Sequence, residues 1–185
     1  MHAEKVQIKL FAAADTHVEA YVPVFHRWIR ENVLNELMID VVDYSHVANG
    51  PEIVLLGHAS DYVIDRGDGK LGLLYASKRE PASAEGSFLP ALRRALRAAR
   101  LLSQEPGLKS PLSFKTDTLL VRIADRLNAP NNEETLARVE PALRNALASV
   151  YGDISARVTR VGGPRDLFSL EVSIPGAPSL NKLLG

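Results

Sequence analysis

Two histidines, His46 and His58, stand on either side of a turn signal, with Asp43 close to the first and Asp61 and Tyr62 close to the second. Imidazole beside carboxylate is the pairing that moves protons or holds a metal ion. The candidate catalytic set is therefore His58, Asp43, Asp61 and Tyr62, with His46 as a second imidazole. If the stretch is a hairpin turning about Asn49-Gly50, His46 pairs near Ile53 and His58 near Val41. The two histidines then lie roughly 17 Å apart, too far to share an ion. What survives is local: strand alternation puts His58, Ser60 and Tyr62 on one face, where a neighbouring strand can bring Asp40 or Asp43 beside His58. The plainer account makes His58 a polar residue satisfied by one hydrogen bond. His17 lies in the loop before the first helix with Asp15 nearby, and His26 borders that helix's apolar face, but no HxH or HExxH spacing joins any of them. No metal and no cofactor is expected.

Three other features carry charge or apolar surface of a kind that binds. Arg93, Arg97 and Arg100 recur on one stripe, with Arg94 beside it and Lys78-Arg79 before it, and make a candidate anion-binding row. The same pattern also describes the solvated face of an amphipathic helix. The tail from Pro175 to Gly185 brings prolines and a glycine and then Leu180, Leu183 and Leu184, a linker followed by a compact apolar motif suited to partner docking, in cis or in trans. Gly162-Gly163-Pro164-Arg165-Asp166 is rich in glycine but lacks the spacing of a phosphate loop, so it reads as a hairpin turn. No EF-hand spacing and no GxSxG elbow is present.

These residues need a scaffold, and 185 residues are enough to bury about 70% of the extended-chain surface without a metal or disulfide. Cysteine is absent, which removes disulfides, thiolate metal sites and thiol nucleophiles and fits a reducing cytosol. The opening MHAEKVQIKLF carries charge where a signal peptide needs apolar residues, and no run has the length of a membrane span. A cytoplasmic location is expected. Basic and acidic residues balance at 22 each, and the arginine row carries only Phe88 as an aromatic, so neither nucleic acid nor membrane is an expected partner.

Period-two alternation marks Val6 to Phe11 as a strand. A helix from about Pro23 places Phe25, Trp28, Ile29 and Val33 at helical spacing. Residues 37–44 and Ile53–Leu56 form one expected hairpin; Tyr62–Ile64 and Leu71–Tyr75 form another around Arg66-Gly67-Asp68-Gly69. Residues 81–86 read as a loop and helix entry, followed by a helix from Ser87 to Gln104 that Pro106-Gly107 stops. Thr118–Ile123 repeats the opening strand. Pro130 to Glu134 caps a helix carrying Leu136, Val139, Leu143 and Leu147, and a last hairpin joins residues 154–161 to 167–174.

The expected architecture is α+β, with two βαββ-like halves of ferredoxin-like character, a mainly antiparallel sheet and helices on one face. Residues 1–108 form the first half, 109–175 the second, and 176–185 a tail. Val6–Leu10 and Leu119–Ile123 are 113 positions apart, as are Gly50-Pro51 and Gly163-Pro164, which raises internal duplication; the helix faces match better at 111. The leading functional expectation is a noncatalytic cytosolic module that self-assembles or docks a protein partner through a sheet edge or the C-terminal leucines. The alternative is a small-ligand-binding protein, or a His/Asp enzyme, metal-dependent or not, with its site near His58 and His46.

Overall fold

A computed structural model describes residues 5–48, 50–78 and 84–184 of the chain, with side chains excluded at residues 84–86. Eight strands form one antiparallel sheet in the order β2-β3-β4-β5-β1-β6-β8-β7. The element order is β1 (Val6–Ala12), α1 (Tyr21–Arg30), β2 (Met38–Asp43), β3 (Pro51–Gly57), β4 (Ser60–Asp65), β5 (Gly72–Ser77), α2 (Ala84–Ser103), β6 (Phe114–Ile123), α3 (Glu133–Tyr151), β7 (Arg157–Val161), β8 (Phe168–Ser173) and α4 (Leu180–Leu183). The fold is α+β, and no described helix is long and apolar enough to cross a membrane.

Alternation along β1 shows how the layers arise. Val6, Ile8 and Leu10 point into the core with Tyr62, Tyr75, Leu119, Val121 and Leu170 from neighbouring strands. Onto that face α1 lays Tyr21, Val24, Phe25 and Trp28, spaced so that one stripe of the helix is buried. Helix α2 meets the sheet with a run of small residues, among them Ala91, Ala95, Ala98 and Ala99, which lets it lie close against β1, β5 and α3. At its end Glu105 receives Arg27 at 2.6 and 2.7 Å and the Trp28 indole at 3.2 Å, tying α1 to α2. Asn132 caps α3 by accepting the Thr135 N–H at 2.9 Å, with Glu133 and Glu134 in the first turn, as the sequence predicts.

The two predicted hairpins of the first half are a continuous four-stranded meander, because β3 and β4 also pair, with Val54 opposite Val63. Gly57 permits that turn: a Cβ there would stand 2.3 Å from the Ser60 carbonyl oxygen. The first hairpin runs in a different register from the one expected. Asp43, not His46, lies opposite Ile53, and Val41 faces Leu55. The reason is the longer connection between the end of β2 at Asp43 and the start of β3 at Pro51, where the expectation has two turn residues. Strand β6 starts at Phe114 rather than Thr118, and α2 at Ala84 rather than Ser87. Residues 81–83 of the predicted loop, Arg79 and Asn49 lie outside the described residues.

Both halves follow a common path. A first strand leads to a helix, then to a meander whose last strand returns beside the first, so β5 pairs with β1 and β8 with β6. The two first strands pair with each other at the centre, where Ile8 faces Val121. Gly50-Pro51 and Gly163-Pro164 both fall between the first and second strands that follow the helix, but at different distances from the second. Pro51 is itself the first residue of β3, whereas Pro164 stands four positions before β8, which starts at Phe168.

Candidate functional site

The groups proposed for chemistry around His58 are not brought together. His58 is exposed in the turn between β3 and β4, with its N–H on the Leu37 carbonyl at 2.8 Å. Asp43 lies at the other end of the hairpin, five ladder positions or roughly 17 Å of strand away. There its carboxylate accepts the Ser45 N–H and hydroxyl at 2.9 and 2.6 Å, bonds that hold its pKa below the usual range. His46 is exposed in the loop after it. Asp61 and Tyr62 alternate to opposite faces of β4. Asp61 pairs with Lys78 at 2.6 Å, whereas Tyr62 is buried on the helix side and donates to Glu36 at 2.6 Å. Burial, then Glu36, drives the Tyr62 phenol pKa upward, so it stays protonated and serves as a donor. Glu36 also accepts from Ser60 at 2.6 Å and has the Arg94 guanidinium 3.7 Å away. Asp40 turns its carboxylate to the Val41 N–H rather than to His58. His17 and His26 are exposed, and among the described residues no group of three or more His, Asp or Glu side chains converges to hold a metal.

Arg93, Arg97 and Arg100 do share one place, a hollow of about 320 Å³ that Leu183 and Leu184 close on one side. Two of the three are already engaged: Arg97 donates to the carbonyls of Val33 and Leu34, and Arg100 to that of Leu184. The tail lies in cis along α2. Leu180 is buried, Leu183 and Leu184 pack against the core, and Asn181 accepts from Gln104 at 3.2 Å.

Two surfaces remain. The first is the β2 edge. Of the five large hydrophobic side chains most exposed among the described residues, four, Leu37, Ile39, Tyr44 and Val47, lie on or beside β2, with Leu37 at 70% and Ile39 at 62% exposure. The opposite edge differs in kind: β7 carries Arg157 and Arg160, and Arg160 pairs with Glu133 at 2.8 Å. Charge of that sort keeps an edge from pairing; β2 carries two charges as well, Asp40 and Asp43, but sets exposed apolar side chains beside them.

The second is the sheet face that the helices leave uncovered, a site the sequence reading missed. Lys9, on the central strand and between two core residues, points to this face yet is 0% exposed. Its ammonium donates to Asp65 at 2.6 Å and to Asp68 at 3.0 Å. Asp68 comes from the Asp-Gly turn between β4 and β5, which folds across the face and also takes a hydrogen bond from Arg122 of β6. Burial raises the pKa of Asp68, but Lys9 and Arg122 together outweigh it and hold the carboxyl below its ordinary range. On the other side of that turn Arg66 bonds Glu52 and Asp15, both at 2.5 Å. Gly72 makes the arrangement sterically feasible, since a Cβ would stand 2.4 Å from the Leu10 oxygen and 3.0 Å from Cε of Lys9. Phe11 lies alongside, with the ammonium groups of Lys9 and Lys70 at 5.7 and 5.6 Å from its ring centre. Two adjoining hollows of about 550 and 490 Å³ flank it, sharing Phe11, Lys70 and Glu171. The one sequence signal was a lysine at a position flanked by strand residues, between Ile8 and Leu10. Nothing in sequence spacing links it to an aspartate 56 positions on.

Compared with known proteins, the chain matches no protein-family model and no curated protein in sequence.

Proposed function

We propose that this protein is a noncatalytic cytosolic module that assembles with a second copy of itself through the β2 edge. The carrying observation is the concentration of exposed large apolar side chains, Leu37, Ile39, Tyr44 and Val47, on and beside the β2 edge strand, against none on β7 among the described residues. Burying Leu37 and Ile39 against a twin removes apolar area from water, and an edge with free backbone groups extends by strand pairing. A two-fold axis at Val41 sets Ile39 opposite the twin's Asp43 and Asp40 opposite the twin's Val42, so no like charges face one another. Such pairing has to displace the Asp40 carboxylate, which accepts the Val41 N–H at 2.8 Å in the single chain. The tail leucines serve assembly less well, because they are packed on their own chain.

Native mass spectrometry and light scattering across a range of concentrations test this. A dimer that Ile39→Lys converts to a folded monomer, and that removal of residues 176–185 leaves intact, supports the edge. A monomer at every concentration sinks the reading, and loss of the dimer on truncation alone moves the interface to the tail.

The shared path of the two halves belongs with this reading as a second proposal: they are diverged copies of one βαββ unit of ferredoxin-like character. The central pairing of Ile8 with Val121, 113 positions apart, supports it. Homologous chains whose strands and helices match at a single offset would strengthen the idea, and a consistent failure to match would remove it.

A further inference from the structure

We propose that the uncovered sheet face binds a small zwitterion with an apolar body, held between Glu171 on one side and Lys70 with Arg122 on the other, over a floor of Phe11 and Leu120. The site is independent of the β2 edge, which lies at the far end of the sheet.

The argument begins with the register. On the β6–β8 pair Arg122 lies opposite Ser169 and Leu120 opposite Glu171, so Arg122 and Glu171 are diagonal neighbours on one face. Such neighbours stand about 7–8 Å apart, within reach of two long side chains. Opposite charges so placed usually close into an ion pair, yet these do not: the described ion pair of Arg122 is with Asp68, and Glu171 has none. Lys70, on the same rim, faces the Phe11 ring and no carboxylate. Cation and anion are thus held apart across a hollow of about 490 Å³, a size typical of small-molecule sites.

What holds them apart is the buried cluster. Lys9 takes Asp65 and Asp68, Asp68 takes one nitrogen of Arg122, and Arg122 keeps further N–H donors that no described residue uses. Burying a lysine in this way is unfavourable unless the ion pair is well satisfied. Its effect is to fix the cationic rim in place before any ligand arrives, which lowers the ordering cost of binding. The floor is apolar, with Phe11 and Leu120 at 8% and 7% exposure. A molecule with one carboxylate, one ammonium and a flat apolar body between them meets all of these groups at once; a purely anionic one leaves Glu171 facing it unfavourably.

The probe is 4-(aminomethyl)benzoate, with benzoate and benzylamine as its two halves, titrated calorimetrically into the full chain. Glu171→Gln and Lys70→Gln are the variants, since both side chains are exposed and hold no described ion pair of the fold. Saturable binding of the probe is expected, weakened by about tenfold or more in each variant and for each half-probe. Absence of saturable binding overturns the proposal. So does binding that the half-probes equal, or that neither variant weakens.

Discussion

Lys9 is the residue on which the uncovered face depends. Its removal leaves Asp65, with a side chain 9% exposed, without its cation. Breaking one side of a buried pair typically costs about 3–5 kcal/mol, so Lys9→Met is expected to lower unfolding stability by an amount in that range. Urea denaturation reads it, and a loss below about 1 kcal/mol would mean that water reaches the cluster freely. Asp68 gives the same network a pH signature. Its carboxyl has a folded pKa below the unfolded value of about 3.9, so its contribution is complete above that value and is lost as pH falls through the folded one. Wild type is therefore expected to lose stability on acidification below about pH 4 more steeply than Asp68→Asn. Parallel acid-unfolding curves for the two would remove Asp68 from the account. The His58 set shows the limit of local pattern. Asp61 and Tyr62 are adjacent in sequence, but strand alternation sends one to the uncovered face and the other to the core, where it meets Glu36.

At the scale of elements, α1 and α2 are joined by a polar contact set within apolar packing. Trp28 is fully buried, and its indole N–H rests on Glu105 at 3.2 Å. Glu105→Ala strands that donor and is expected to cost about 1–3 kcal/mol, read from the urea midpoint. Trp28→Phe in the same background separates the contributions: if the stranded N–H is the cause, the second change recovers part of the loss. Most elements were legible beforehand because their signals are local. Alternation marked β1, helical spacing marked α1 and α3, and Asn132 marked the start of α3. Register was less legible. The β2–β3 pairing depends on how many residues the connection takes up, and Asn-Gly is compatible with a tight turn as well as with the longer connection found between Asp43 and Pro51. The pairing of β3 with β4 was missed for a related reason: Gly57 to Ala59 contains no strong turn dipeptide, and the turn works because Gly57 lacks a Cβ.

Over the whole molecule, one core runs through both halves. Central pairing of β1 with β6 and packing of α2 on α3 cross the boundary at residue 108. Chains cut there are expected to show no cooperative unfolding on their own, while the intact chain unfolds in one transition; circular dichroism of fragments 1–108 and 109–185 checks it, and a cooperative transition in either fragment overturns it. Composition, element types, and the antiparallel α+β class were written in the sequence, because each follows from residue chemistry read over a few neighbours. The two surfaces offered for function were not. The β2 edge is an edge because β1 lies between β5 and β6, a choice made by pairings distant in sequence. Lys9 meets Asp65 and Asp68 because the β4–β5 turn folds back across the sheet and Gly72 leaves room beneath it. Contacts of that kind have no period and no fixed spacing, so tertiary structure alone could decide them.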